Sequence, residues 1–345
     1  MGKSPVKQRA AGRPWREFDL IESIRRTAGQ RGRGDCLGIG DDASAHLPEA
    51  GYLEIVTCDA LVEGVHWLPA WCDAQTLGRK TAAVNLSDIA AMGGIPRRAH
   101  LVLVLPKSTA STWVEKFVQG LVEELQTYGA RLVGGDTNVS PGPLMISLTL
   151  QGVVRKKQML CRRGARPGDW LMVTGDLGAA GAGLWELQHA RSPLRLDTYT
   201  AQRWRRPLPR LAEGRFLAQS GHVHALMDLS DGLAGDLRRL CAASNVGARV
   251  HAGRLPVAVA TQRTAKTKRQ PVWALALQGG EDYELLFAIS PAAAPAIASG
   301  LRRLGTPCTL VGEVLPRERG LNLVLPQGKI VPLPLGWEHN RSGHC

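Results

Sequence analysis

The sequence predicts an α+β protein built from two domains, and three observations carry that reading. The chain has 345 residues, more than the roughly 100–200 of a single domain. Strand-like and helical segments are interleaved without regular βαβ units, which favours α+β over a doubly wound sheet. A basic, turn-rich stretch, Arg155–Asp169, divides two halves of similar style. The expected organisation is a flexible basic tail over residues 1–15, an N-terminal domain over 16–155 and a C-terminal domain over 156–345.

In chain order, Leu20, Ile21 and Ile24 stand at helical spacing and predict a helix over Phe18–Thr27. Tyr52–Thr57 reads as a strand, Thr76–Met92 as a helix, Ala99–Leu105 as a strand and Thr112–Tyr128 as a second helix. The Thr76 helix ends in Gly93-Gly94 with Pro96 just beyond, a well-formed stop. Leu144–Val154 predicts a long strand. In the second half Trp170–Thr174, Tyr283–Ser290 and Cys308–Val314 read as strands, and Leu177–Gln188 as a helix of small residues. Thr261–Gln270 is polar and basic, and predicts a surface loop.

Composition narrows the function. A hydrophobic fraction of 44% is that of a globular protein with a sizeable core. No apolar run approaches the roughly 20 residues of a membrane span, and the N-terminus lacks the apolar core of a secretory signal. Seven cysteines are scattered without a CxxC pair. That argues against a disulfide framework or a zinc site and for reduced thiols in a cytoplasm. The net charge of +13 is concentrated in residues 1–33, Arg155–Arg166 and Arg203–Arg210. No aromatic residues interleave the basic tail, so a nucleic-acid partner is not expected. Arginines within the body of the chain suit phosphate ligands.

The chemistry lies in aspartates set among glycine or serine at element ends. They are Gly38-Ile-Gly-Asp-Asp42, Thr57-Cys-Asp59, Asn85-Leu-Ser-Asp88, Val133-Gly-Gly-Asp-Thr137, Met227-Asp-Leu-Ser-Asp-Gly232 and Gly279-Gly-Glu-Asp-Tyr283. Any one could be an ordinary turn. Together, small neighbours let a phosphate approach, and carboxylates supply the hard oxygen ligands that magnesium prefers. The Walker, dinucleotide and protein-kinase signatures are absent. The glycine-rich run Gly175–Gly183 fits close helix packing better than a phosphate loop. Asn85 and Asp88 share one helix face, flanked by residues that look buried.

These motifs resemble the thiamine-monophosphate kinase family of the aminoimidazole-ribonucleotide-synthetase-like superfamily. The matching stretches are GIGDDA at 38–43, TCDALVEGVHW at 57–67, AVNLSDIAAMG at 83–93, LVGGDT at 132–137 and RPGDWLMVTG at 166–175. RRPLPRL at 205–211, MDLSDGL at 227–233, GGEDYEL at 279–285 and GWEH at 336–339 complete the set. The resemblance implies an N-terminal mixed sheet that closes a barrel across a homodimer and a C-terminal α/β sandwich. It implies magnesium ligands at Asp42, Thr57, Asp59, Asp88, Asp136, Asp228 and Asp231. ATP contacts would come from Gly135, Asp136, Arg162 and Ser230, and thiamine monophosphate contacts from His66, Glu281 and Trp337. Trp337 suits stacking on a cationic thiazolium.

The implied reaction is direct in-line phosphoryl transfer from ATP, assisted by several magnesium ions. No general base is assigned, because a phosphate monoester with a second pKa of about 6 is already ionised. Three departures stand out. Cys58 occupies a place where the family has a hydroxyl residue, Asn138–Gly142 is longer than usual, and Asn340 follows Glu-His in place of Phe. Related selenophosphate synthetases need a reactive Cys near an N-terminal lysine, which Lys3 and Lys7 lack. Hydrogenase-maturation enzymes place Pro-Arg before a C-terminal Cys, whereas Ser342-Gly-His344 precedes Cys345.

Overall fold

The computed structural model describes residues 35–37 and 44–336, with side chains from residue 50 onward. The expected tail, the Phe18–Thr27 helix, Asp42 and Trp337 lie outside the described residues. The first half runs β1 (Asp35–Leu37), β2 (Ser44–Glu49), β3 (Tyr52–Val62), α1 (Ala74–Ala91), β4 (Ile95–Pro106), α2 (Ser111–Thr127), β5 (Arg131–Ser140) and β6 (Met145–Arg155). Its six-stranded sheet has the order β1-β2-β3-β6-β4-β5. All pairings are antiparallel except β4 with β5. Those two flank α2, so the half contains one βαβ crossover that the sequence pattern did not reveal.

The second half continues with β7 (Trp170–Thr174), α3 (Ala179–His189), α4 (Tyr199–Arg205), α5 (Leu211–Ser220), β8 (Val223–Asp228), α6 (Leu233–Ser244) and β9 (Gly247–His251). Then come α7 (Val259–Thr267), α8 (Val272–Gln278), β10 (Leu285–Ile289), α9 (Ala294–Arg303), β11 (Cys308–Leu315), β12 (Leu321–Val324) and β13 (Ile330–Pro332). The seven strands are ordered β13-β12-β9-β11-β7-β10-β8. Helices cover both faces. On one, Leu237 of α6 and Ala276 of α8 pack with Leu286 and Ala288. On the other, Leu217 of α5 and Ile297 of α9 pack with Phe287 and Ile289. Buried on both faces, β10 is apolar throughout, as such a strand must be. This is the α/β sandwich expected for the C-terminal half.

Helix α1 is the central element. Asp73 caps it by accepting from the Thr76 amide at 2.7 Å. It stops where Gly93 N–H donates to Ala90 and Gly94 N–H to Ile89, the pattern of a Schellman cap. It is buried on nearly every face, so its apolar residues show no single stripe. A Cβ on Gly78 would lie 2.0 Å from the Phe117 carbonyl, and one on Gly120 would lie 2.0 Å from that of Gln75. Reciprocal glycines thus let α1 and α2 cross with their backbones in contact. The core around Leu77, Leu86 and Ile89 runs from β6 (Ile146, Leu148) to Leu187 and Trp204 of the second half.

Two expectations are corrected. Thr261–Gln270 is mostly helix, not loop: α7 buries Thr261, Thr264 and Ala265 at helical spacing. Thr264 on its inner face donates to Glu186 on α3, which also receives Thr198 and Thr200. The Arg203–Arg210 cluster is also largely structural. Arg205 donates to the carbonyls of Trp71, Leu196 and Pro193. Arg203 and Arg210 both bind Glu284, which is fully buried, at 2.7 and 2.6 Å, and Thr174 adds a third donor at 2.7 Å.

Two buried cations around one carboxylate are costly to break, because removing the anion leaves their charges uncompensated. Glu284→Gln keeps the shape and removes the charge. It should lower unfolding stability by about 3–5 kcal/mol, read as a shifted denaturant midpoint at unchanged slope. A loss below about 1 kcal/mol, the worth of an ordinary hydrogen bond, would mean the arginines do not depend on this anion.

Candidate active site

The site is assembled from the middle of β3, the end of β8, one helix and two loops. On β3, side chains alternate between faces. Thr57 and Asp59 therefore share a face, and Cys58 points to the other, where it meets Ser147 and Thr149 at 3.4 Å. The cysteine that departs from the family pattern is accordingly exposed and turned away from the carboxylates. The buried Thr57 hydroxyl donates to the carboxylate of Asp88 on α1. One position earlier on α1, Ser87 donates to Asp228 at 2.6 Å. Asp228 closes β8 and is almost fully buried. Neighbouring residues of one helix thus hold carboxylate sites from both halves.

After Asp228 the chain turns through Ser230-Asp231-Gly232 into α6. The Asp231 carboxylate pairs with Arg239, and the Asp231 amide donates to Asp236 at 3.0 Å. Asp236 is wholly buried and receives Arg239 at 2.6 Å. Burial, and then the charge of Asp231, push its carboxyl well above the usual range. Arg162 lies near enough to Arg239 to repel it. The 279–284 loop packs along this turn: the Glu281 amide donates to Ser230 at 2.7 Å and that of Tyr283 to Leu229 at 2.9 Å. Glu281 and Tyr283 both adopt positive φ, 65° and 50°, a conformation that non-glycine residues hold at a cost.

Tyr283 marks where the halves converge. Its phenol is pushed well above its ordinary value, first by burial and then by the negative charges of Glu281, Asp59, Asp228 and Asp231. One hydroxyl thus senses four carboxylates, three from the second half and one from β3. On the other side of Glu281, Lys80 of α1 pairs with it at 3.0 Å. Cys72 lies nearby, and burial pushes its thiol up to about 11, so it stays neutral.

The remaining expected residues lie on other elements. Gly135 and Asp136 are on β5, an edge strand that is exposed along most of its length. Gly135 has φ 154°, and a Cβ there would fall 1.9 Å from the Leu101 carbonyl, so only glycine keeps β5 on β4. Asp136 accepts from Asn138 at 2.6 Å. His66 takes the Val62 amide on Nδ1 at 3.0 Å, which leaves the proton on Nε2. Lys80, Ser87, Tyr283 and Arg239 were not singled out by sequence. Lys80 had a signal: a lysine shortly before the apolar stretch Ala82-Ala83-Val84 of a helix.

The gathered donors are all oxygens, the chemistry of a hard cation. Among the described residues, no three His, Cys, Asp or Glu side chains stand close enough to enclose a metal by themselves. Crowded carboxylates with few cations between them still fit magnesium, which takes a few protein ligands and completes its shell with water and phosphate.

Two sandwiched halves with carboxylate loops facing across a shared helix define a class. Residues 40–154 match the AIR synthase related protein N-terminal domain and residues 166–321 the C-terminal domain, so the chain belongs to that family. Within it the chain belongs with the thiamine-monophosphate kinases. It is 41% identical to the thiamine-monophosphate kinase of Salmonella typhimurium, over 90% of this chain and 91% of that protein. A solved structure of AaThiL complexed with AMPPCP and TMP superposes with a TM-score of 0.80 at 30% identity, covering 94% of this chain and 97% of that one. The thiamine-monophosphate kinase of Stenotrophomonas maltophilia gives 0.72 at 36% identity, covering 91% and 97%.

Proposed function

We propose that this protein is an ATP-dependent kinase that phosphorylates thiamine monophosphate to thiamine diphosphate. The observation that carries the reading is the end-to-end similarity to a relative solved with both AMPPCP, an ATP analogue, and TMP. The convergence of Glu281, Asp59, Asp228 and Asp231 on Tyr283 supports it, since phosphoryl transfer between anions needs a place where cations collect.

In this reading Thr57, Asp59, Asp88, Asp228 and Asp231 hold magnesium, joined by Asp42 and Asp136. Bound magnesium supplies charge neutralisation and alignment of the phosphates. The protein's own part is positioning. Thr57 on β3 orients Asp88, Ser87 on α1 orients Asp228, and Arg239 fixes Asp231. Gly135, Asp136, Arg162 and Ser230 face ATP. His66, Glu281 and Trp337 face thiamine monophosphate, and the His66 Nε2–H is a donor suited to a phosphate oxygen. No residue need act as a general base, because the attacking phosphate oxygen is already ionised.

The functional units are residues 16–155 for ATP and metal and 156–345 for the second half, with residues 1–15 a basic tail. The active form is a homodimer whose N-terminal sheets close a barrel. β5 supports this, an edge strand with Val133 and Val139 exposed at 49% and 60%. Beside it runs an apolar groove of about 770 Å³ lined by Leu105, Val114, Val118 and Val122. The setting is the cytoplasm. Cys58, Cys72, Cys161, Cys241 and Cys308 are free thiols, and no helix among the described residues is long and apolar enough to cross a membrane.

Incubation with Mg-ATP should convert thiamine monophosphate to thiamine diphosphate and leave free thiamine untouched. Equal turnover of thiamine would defeat the mechanism, because an alcohol needs a base. Asp88→Asn and Asp231→Asn should each lower turnover by roughly a hundredfold or more, as losses of several kcal/mol imply. The melting temperature of Asp88→Asn should hold or rise as carboxylate repulsion is relieved, and that of Asp231→Asn should fall only modestly, because Arg239 keeps Asp236 as a partner. Near-normal turnover in either would count against the metal assignment. Light scattering should give a dimer, and Val139→Glu should shift it to monomer. A wild-type monomer at micromolar concentration would rule the barrel out.

A further inference from the structure

We infer that Lys80 is a positioning residue that aims the Glu281 carboxylate at the substrate, and so sets affinity for thiamine monophosphate without touching it. The inference rests on the kinase reading above. Lys80 is only 1% exposed and sits inside α1. Its Nζ donates to the Trp204 carbonyl at 3.1 Å, lies 3.5 Å from the centre of the Trp204 ring and pairs with Glu281 Oε1 at 3.0 Å. Carbonyl, ring face and carboxylate are the three partners of one ammonium, so its place is over-determined. Burial holds its pKa below the ordinary lysine value, and the Glu281 carboxylate is the group that most opposes that lowering.

Glu281 is held from two sides. Its backbone is fixed at positive φ by the Ser230 carbonyl, and its carboxylate by Lys80. Its side chain remains 23% exposed, and Oε2 accepts no hydrogen bond among the described residues. One oxygen is anchored and the other is presented. Asp59, Asp228 and Asp231 share the Tyr283 neighbourhood with it. Among the described residues Lys80 is the one cation bonded to Glu281. A buried ion pair is a poor device for stability, and an apolar residue at position 80 would serve the core as well. What the pair provides is a fixed direction for an anion that can take the amino group or the cationic ring of thiamine monophosphate.

The test is a double-mutant cycle with Lys80→Met and Glu281→Gln, following KM for thiamine monophosphate, KM for ATP and kcat, with calorimetric titration of thiamine monophosphate alongside. Lys80→Met should raise KM for thiamine monophosphate about tenfold or more, the loss expected for a misplaced charged hydrogen bond. KM for ATP and kcat should change by less than about threefold. Glu281→Gln should do the same, and the double variant should be no worse than either single one. Should Lys80→Met fail to fold, the double variant, which has no unpaired charge, is compared with Glu281→Gln. Equal affinities support positioning, and a further loss overturns it. Additive effects, or equal losses for both substrates, would show a structural role or direct contact and overturn the inference. Wild-type protein that neither binds nor converts thiamine monophosphate would overturn the kinase reading together with it. Wild-type turnover with unaffected affinity in Lys80→Met would overturn the inference alone.

Discussion

The burial of α1 on nearly every face organises both the fold and the site. A helix with one solvent face can shift or rotate by a few degrees without disturbing much. α1 has no such freedom, because each face is committed to a different neighbour. Gly78 brings it against the α2 backbone, Leu86 and Ile89 belong to the core that includes β6, and Ala91 joins the core of the second sheet. Its polar residues are committed too: Ser87 to Asp228, Asp88 to Thr57 and Lys80 to Glu281. Close-packed interiors transmit displacement rather than absorb it. The relative placement of carboxylates from two sheets is therefore set by one rigid element.

Charge in this protein divides into two populations that composition cannot separate. Glu284 has both oxygens filled by Arg203, Arg210 and Thr174 in a fully buried pocket, and Asp282 accepts the amides of Gly178 and Ala180 at the start of α3. These acids are saturated by the protein and hold it together. Asp59, Asp228, Asp231 and Glu281 instead crowd a single phenol. Repulsion of that kind works against folding unless cations relieve it, and it persists where ligand binding benefits. A few residues separate Glu281 from Glu284 in sequence, and their roles are opposite.

Much of the architecture was legible in the chain. The long helices and the strands of strong period or strong apolarity were placed to within a few residues, because local pattern alone determines them. The Gly93-Gly94 stop, the buried flanks of Asn85 and Asp88, and close packing through Gly175–Gly183 belong to the same class. A Cβ on Gly183 would lie 2.0 Å from the Thr200 carbonyl, as a packing role requires. The aspartate-rich loops were visible as sites because turn residues and carboxylates recur together. What escaped had no local signal. β5 is glycine-rich and becomes a strand only by pairing with β4, and α7 buries Thr264, whose hydroxyl is received by Glu186 on α3.

The sequence by itself determined the family of motifs, the oxygen-rich chemistry and the longest helices and strands, since these depend on residue type and near-neighbour spacing. Only the tertiary structure decided which carboxylates meet. Thr57 finds Asp88 across 31 positions and Ser87 finds Asp228 across 141. It also turned Cys58 to the far face of β3, claimed Arg203, Arg205 and Arg210 for buried carboxylate and carbonyls, and gave a core lysine a partner in the site. The physical reason is the same in each case. A charge or hydroxyl is specified by its residue, but its partner is chosen by the packing of apolar surfaces that carry no information about charge.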